Sequence, residues 1–396
     1  MFSIFPIKGD ISNIDGFYCD GISAGLKAND ALDMGFIYSD TLCNVEAIFT
    51  ENNFKAAPLI HFLEYPKDFQ TNFVIINAKN ANAMTGQKGI DDVNKVCNSL
   101  ISSFPSIKNP IMSSTGVIGV PLPKDKIISK SKEFNLNSKN GENLSKAIMT
   151  TDSYPKKTIY QVDLEDGSSF KIGAISKGAG MINPNLATML CFITTDANIP
   201  KTDMKELLKE NTQTTFNAIS VDGDTSTNDT VLLLSNNKSN SYNKEAFKEA
   251  LRLVMNDMAM MIVSDGEGAK KTVAFDITSA KNDKEAEIVA KYLSNSLLVK
   301  TALFGEDPNW GRIASTIGAS GVECSELTLT IKFGDILVYN KGDILFDEET
   351  EKKAAQILTN SSFKISCDLG ISTGNFTAFG CDLGYEYVKI NADYRT

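Results

Sequence analysis

Lys177-Gly-Ala-Gly-Met-Ile-Asn-Pro-Asn-Leu-Ala-Thr188-Met-Leu-Cys-Phe-Ile-Thr-Thr195 is the stretch on which the reading of this chain turns. It starts as a glycine-rich loop, is broken at Pro184, and sets a small residue, Ala187, and a hydroxyl residue, Thr188, at the mouth of a strand. From Thr188 to Thr195 both alternating sets of positions are largely apolar, so the strand is expected inside a sheet covered on both faces. A phosphate-binding reading fails, because Gly178 and Gly180 lack the third glycine of a dinucleotide loop and no helical pattern follows. Taken alone, the stretch describes a loop leading into a core strand.

Outward from it, Phe73-Val-Ile-Ile76 reads as another buried strand. Ile90, Val93, Val96, Cys97, Leu100, Ile101 and Phe104 fall on one face of a helix. Lys156 to Ile172 alternates about the turn Glu165-Asp-Gly167 and predicts a hairpin. Phe247, Leu251, Val254, Met258, Met261 and Ile262 predict an amphipathic helix from near Asn243, with a methionine-rich stripe that is core material. Asp283 to Val299 predicts a further helix. The last third predicts strands at Leu327–Phe333, Ile336–Tyr339, Phe363–Cys367, Phe376–Cys381 and Tyr385–Asn391, and Phe134–Asn143 reads as a polar loop. This mixture predicts a layered α/β (α+β) architecture with sheets sandwiched between helices. At 396 residues the chain exceeds what one core usually organises, which predicts two lobes. No linker-like composition separates them, so they are expected to share a core.

Composition narrows the chemistry. Hydrophobic residues make up 42% and charged residues 22%, as in ordinary globular proteins. A net charge of −10 argues against attraction to nucleic acid or anionic membrane. No apolar run reaches the roughly 20 residues of a spanning helix, and the N-terminus lacks the pattern of a signal peptide, so a cytoplasmic location is expected. The seven cysteines are odd in number and form no CxxC pair, which speaks against a disulfide scaffold or zinc knuckle. A single histidine, His61, rules out a histidine-rich metal site and leaves a Ser-His-Asp triad only one candidate. An acyl-transfer enzyme built on this chain would need another base.

The string from Lys177 to Leu190 closely resembles the self-cleavage signature of the ornithine acetyltransferase (glutamate N-acetyltransferase) family, whose precursor is cut between the alanine and the threonine, here Ala187 and Thr188. Other blocks of similarity are collinear with it. They are Ser114-Thr115-Gly116-Val-Ile-Gly119-Val-Pro121, Ala147-Ile-Met-Thr-Thr151-Asp152, and Ser220-Val-Asp-Gly-Asp224 with Asn228-Asp229-Thr230. Ser264-Asp-Gly-Glu267-Gly268, Gly305-Glu-Asp-Pro-Asn-Trp-Gly-Arg312 and Ile390-Asn391-Ala-Asp-Tyr-Arg-Thr396 complete the set. The resemblance runs from Gly16-Phe17 to the last residue.

It implies an N-terminal-nucleophile-like, self-cleaving acyltransferase of arginine biosynthesis with fragments 1–187 and 188–396, assembled as an α2β2 heterotetramer and using no metal or cofactor. The implied substrates are N2-acetylornithine and glutamate, with acetyl-CoA left open as a second donor. Thr188 would be the nucleophile, its freed α-amine the base, and Thr115 and Gly116 the oxyanion donors. Thr151, Lys177, Thr188, Glu267, Asn391 and Thr396 would contact substrate. The chemistry agrees with the composition: a free α-amine has a pKa of about 7.7–8.0, so one residue supplies both nucleophile and base without histidine. Two other readings stand beside it: a self-cleaving aminopeptidase or amidase, in which water takes the acyl group, and a non-catalytic scaffold, which would stay in one piece.

Overall fold

The strands form two sheets in the computed structural model, which describes residues 1–183 and 189–393. The larger sheet takes β1 (Phe2–Pro6), β2 (Phe17–Ile22), β3 (Met34–Phe49), β4 (Gln70–Asn77), β5 (Ile111–Ser114), β6 (Lys156–Leu164), β7 (Ser169–Lys177), β8 (Leu190–Thr195) and β9 (Thr230–Ser235). Their spatial order is β1-β6-β7-β8-β9-β3-β4-β5, with β2 also paired to β3. The smaller sheet holds β10 (Thr272–Ala280), β11 (Thr330–Phe333), β12 (Ile336–Asn340), β13 (Asp343–Ile344), β14 (Ser362–Asp368) and β15 (Gly374–Cys381), in the order β13-β12-β11-β14-β10-β15.

Helices cover both faces of the large sheet. They are α1 (Ala57–Leu63), α2 (Gly86–Ser103), α3 (Lys124–Ser131), α4 (Gly141–Ile148), α5 (Lys201–Thr214) and α6 (Lys244–Ser264). β8 is buried along its whole length and explains the layering. Cys191 and Ile193 join Phe247, Leu251, Val254, Met258 and Ile262 of α6 in one cluster. Leu190 and Phe192, on the opposite face, join Leu144 and Ile148 of α4 in another. Each such side chain removed from water contributes about 1.5–3 kcal/mol. Further along the sheet, Phe36, Phe73 and Ile75 share a cluster with Val93, Val96 and Leu100 of α2.

The smaller lobe adds α7 (Asp283–Asn295), α8 (Leu297–Phe304), α9 (Trp310–Ala319), α10 (Glu348–Leu358) and α11 (Tyr385–Asp393). Val289 and Leu293 of α7 and Ile313 and Ile317 of α9 share its core with Val273, Phe275 and Ile277 of β10. The lobes meet where Cys381 of β15 enters the cluster beneath α6 and Ser220 N donates to Phe379 O at 2.8 Å. β7 and β8 are antiparallel neighbours, so chain before and after residue 187 interleaves in one sheet.

Three expectations are corrected. Tyr385–Asn391 is helix α11, not a strand; strand propensity reports fit to a half-buried pleated surface, and no residue of α11 is buried. Asp283–Val299 is two helices, because Ser296 caps the second by accepting the Val299 N–H. Phe134–Asn143 is not all loop, since Asn140 accepts the Asn143 N–H and starts α4.

Candidate active site

Lys177 ends β7 with 3% of its surface exposed. Its Nζ lies 3.9 Å from Oδ2 of Asp152. Asp152 accepts from Lys156 Nζ at 2.7 Å, from the Gly178 N–H at 2.7 Å and from the Thr150 N–H at 3.0 Å. Lys156 in turn reaches Asp265 at 2.6 Å. Two lysines and two aspartates thus neutralise one another out of water, which is what makes their burial tolerable. Burial alone would raise the Asp152 carboxyl, but Lys177 and Lys156 outweigh it and hold the group at about 2. Burial depresses the Lys177 ammonium against the pull of Asp152. Through its N–H contacts Asp152 anchors both the Thr150–Thr151 turn and the start of the glycine-rich loop.

Thr115 and Gly116 follow β5 and are fixed by asparagines. Asn77 accepts from Ser114 Oγ at 2.7 Å and donates to Asn80 O at 2.9 Å, while Asn80 donates to Val120 O and Pro121 O. Asn228 clasps Ala81 O at 2.7 Å and Ser114 O at 2.8 Å. Gly116 has φ +130°, and a Cβ there would lie 2.2 Å from the Lys79 carbonyl carbon. Only glycine fits.

One loop, residues 220–229, grips the chain on both sides of 184–188. Asp222 accepts the N–H groups of Met181 (2.6 Å) and Ile182 (2.9 Å), and Asn183 donates to Gly223 O at 2.7 Å. On the far side Asp229 accepts the Met189 N–H at 2.9 Å, and Thr230 N donates to Met189 O at 3.0 Å. Burial pushes the Asp222 carboxyl up to about 6, over the opposing pull of its N–H partners. Burial likewise raises the Asp229 carboxyl well above its ordinary value, although the Met189 N–H and Lys177 pull it down.

The loop after α6 and the last helix close the site. Asn391 donates to Glu267 Oε2 at 2.7 Å, and Tyr387 donates to Asp222 Oδ2 at 3.3 Å. A Cβ on Gly180 would lie 2.4 Å from Glu267 Cδ, so the second glycine of the loop lets the carboxylate pack against its backbone. Thr115, Gly116, Thr151, Lys177, Glu267 and Asn391 all line one cavity of about 170 Å³. Ala187, Thr188 and Thr396 lie outside the described residues. His61 is away from this cavity, in α1 and edge-on to Tyr65. Among the described residues no group of three or more His, Cys, Asp or Glu side chains converges as a metal site.

The sequence singled out no role for Asp152, Asp222, Asp229, Tyr387, Asn77, Asn80 or Asn228. A usable signal existed for two sets. Asn77, Asn80 and Asn82 crowd the end of a buried strand, and Asp229 stands one residue short of the apolar run Val231–Leu234.

A model of the ArgJ family matches residues 18–396. The chain is 58% identical to the arginine biosynthesis bifunctional protein ArgJ of Wolinella succinogenes, with 100% of each chain covered. It is 41% identical to the ArgJ of Staphylococcus aureus strain COL, covering 100% of this chain and 97% of that one. Among solved structures it is similar to ArgJ from Bacillus halodurans, with TM-score 0.48 and 41% identity over 51% of this chain and 97% of that chain. It is also similar to ornithine acetyltransferase complexed with ornithine from Mycobacterium tuberculosis, with TM-score 0.41 and 25% identity over 48% of this chain and all of that chain. On the match of the family model over residues 18–396 and of the two ArgJ sequences over the full chain, the chain belongs to the ArgJ family.

Proposed function

We propose that this chain, an acyltransferase of arginine biosynthesis by its family, moves the acetyl group of N2-acetylornithine to glutamate through an acetyl ester on Thr188. In this reading the precursor first breaks at Ala187–Thr188 by an N-to-O acyl shift, giving fragments 1–187 and 188–396 that assemble as α2β2 in the cytoplasm. The freed α-amine then takes the Thr188 hydroxyl proton as Oγ attacks the acetyl carbonyl. Thr115 Oγ1 and Gly116 N–H hold the resulting oxyanion, each such donor being worth about 2.7–4 kcal/mol of barrier. Ornithine leaves, glutamate enters, and its amine takes the acetyl group.

One observation carries the reading: a single cavity gathers Thr115, Gly116, Thr151, Lys177, Glu267 and Asn391 beside Met181, on the gripped flank of the junction. At about 170 Å³ it falls below the roughly 300 Å³ at which drug-sized pockets begin, and so suits an amino-acid-sized substrate. Lys177 is the cation for a substrate carboxylate. Glu267 faces the ammonium of ornithine, with Thr396 as its proposed helper. Thr151 and Asn391 add neutral hydrogen bonds. The side-chain end must accept an ammonium in one half-reaction and a carboxylate in the other. Asp222, which also lines the cavity and titrates near 6, suits such an end because it can carry charge or a proton.

The test is a product assay on purified protein with N2-acetylornithine and glutamate, and separately with acetyl-CoA and glutamate. N-acetylglutamate from the first mixture supports the reading, and from the second extends it to a bifunctional enzyme. Acetate release with no transfer to glutamate would replace it with an amidase.

A further inference from the structure

We propose that the Asp229 carboxyl group accepts the proton and positions the chain for breakage of the Ala187–Thr188 bond, an inference that rests on reading that bond as the self-cleavage site. Asp229 stands directly before β9 with 2% of its surface exposed. Its Oδ1 is committed to the Met189 N–H at 2.9 Å. Its Oδ2 is buried and, among the described residues, accepts no hydrogen bond, because the Thr50 hydroxyl beside the carboxylate donates to Ser226 O instead, at 2.7 Å. Leaving a buried acceptor open costs about 1–3 kcal/mol, a cost that a proton-accepting role explains and a purely structural one does not.

Covalent connectivity ties Asp229 to the reacting residue. Four bonds separate Met189 N from Thr188 Oγ, a span of about 5 Å at most, and Met189 N is the atom that Oδ1 holds. Burial raises the basicity of the carboxylate, which suits it to take a hydroxyl proton. Lys177 is the charged group facing it. The neighbouring Asn228 binds Ser114 O and Ala81 O, so the same dipeptide ties the proton acceptor to the Thr115–Gly116 turn.

The step balances. As Thr188 Oγ bonds to the Ala187 carbonyl carbon, its proton passes to Asp229 Oδ2. Collapse of the tetrahedral adduct breaks the C–N bond, and that proton moves to the departing nitrogen, leaving an ester and a free α-amine. Water hydrolyses the ester, restoring the Thr188 hydroxyl and leaving the Ala187 carboxylate. Asp222, gripping the other flank through two N–H groups, has both oxygens engaged and in this cleavage step serves only to position.

Asp229→Asn keeps an oxygen for the Met189 N–H and removes the acid. Full-length wild type and Asp229→Asn are made by cell-free translation, and the cut fraction is followed by intact mass across a pH series. The expected result is wild-type cleavage that rises with pH through one ionisation, and cleavage of Asp229→Asn slowed by about a hundredfold or more without that rise. Asp229→Asn cut as fast as wild type, or slowed but retaining the rise, overturns the proposal. So does wild-type cleavage that is flat with pH, a readout that stands even if the variant fails to fold. Wild type that is never cut at Ala187–Thr188 overturns the reading of the junction itself. Wild type cut there alongside an equally cut variant overturns the Asp229 role alone.

Discussion

Asn391 Nδ2 donates to Glu267 Oε2 across 2.7 Å, and this bond fastens the last helix of the chain to the loop that follows α6. Glu267 is thereby aimed into the cavity from a residue 124 positions away. Removing a hydrogen bond to a charged group costs about 1.5–3 kcal/mol, so Asn391→Ala should lower kcat/KM for N2-acetylornithine roughly tenfold to a hundredfold, mainly through KM. Steady-state kinetics with an unchanged KM would remove Glu267 from the ammonium end of the site.

Thr115→Val is the clean test of the oxyanion pair, since it deletes only the hydroxyl. It should lower kcat by about 10²–10³ and leave KM near wild type. Gly116→Ala is less informative. The new Cβ would lie 2.2 Å from the Lys79 backbone, so stability falls together with kcat. A raised KM with normal kcat in Thr115→Val would place the hydroxyl in ground-state binding instead.

Acid should weaken the fold through Asp152. Its carboxyl sits at about 2 in the folded chain against an ordinary 3.8. A depressed folded value lends stability that is complete above the unfolded pKa and is lost as pH falls through the folded one, here between about 4 and 2. Lys156→Met, which strips the cation shared by Asp152 and Asp265, should cost roughly 3–5 kcal/mol at neutral pH in urea unfolding. An unshifted midpoint would show the buried quartet to be energetically idle.

Activity should survive both EDTA and His61→Ala. Burial lowers the His61 imidazole below its usual value, and its ring packs edge-on to Tyr65 in α1, outside the cavity. Complete loss of transfer in the fully folded His61→Ala protein, checked by circular dichroism, would return histidine to the mechanism.

The sequence foretold the parts of this structure that depend on repeated local pattern. Cys191/Ile193 and Leu190/Phe192 do face opposite layers, and the stripe on α6 is core. It misread segments where pattern and context disagree. Tyr385–Asn391 carries strand-forming residues but lies on the surface, where i, i+4 spacing sets Tyr387 and Asn391 on one helix face toward the cavity. Of the residues assigned to the site, the described ones converge because long-range tethers draw their loops together, such as Asn228 to Ser114 and Asp152 to Gly178. No local pattern encodes those tethers, which is why Asp152 and Asp222 went unassigned.

The most direct test of the account is mass analysis of the purified protein before and after N2-acetylornithine. The account predicts two associated fragments, the second beginning Thr-Met-Leu-Cys, with one acetyl group gained on its first residue by the donor and removed by glutamate. Thr188→Ala should stay uncut and gain nothing, and Thr188→Ser should keep a part of both activities. An active protein that remains one uncut chain, or an acetyl group that forms on any residue other than Thr188, would contradict it.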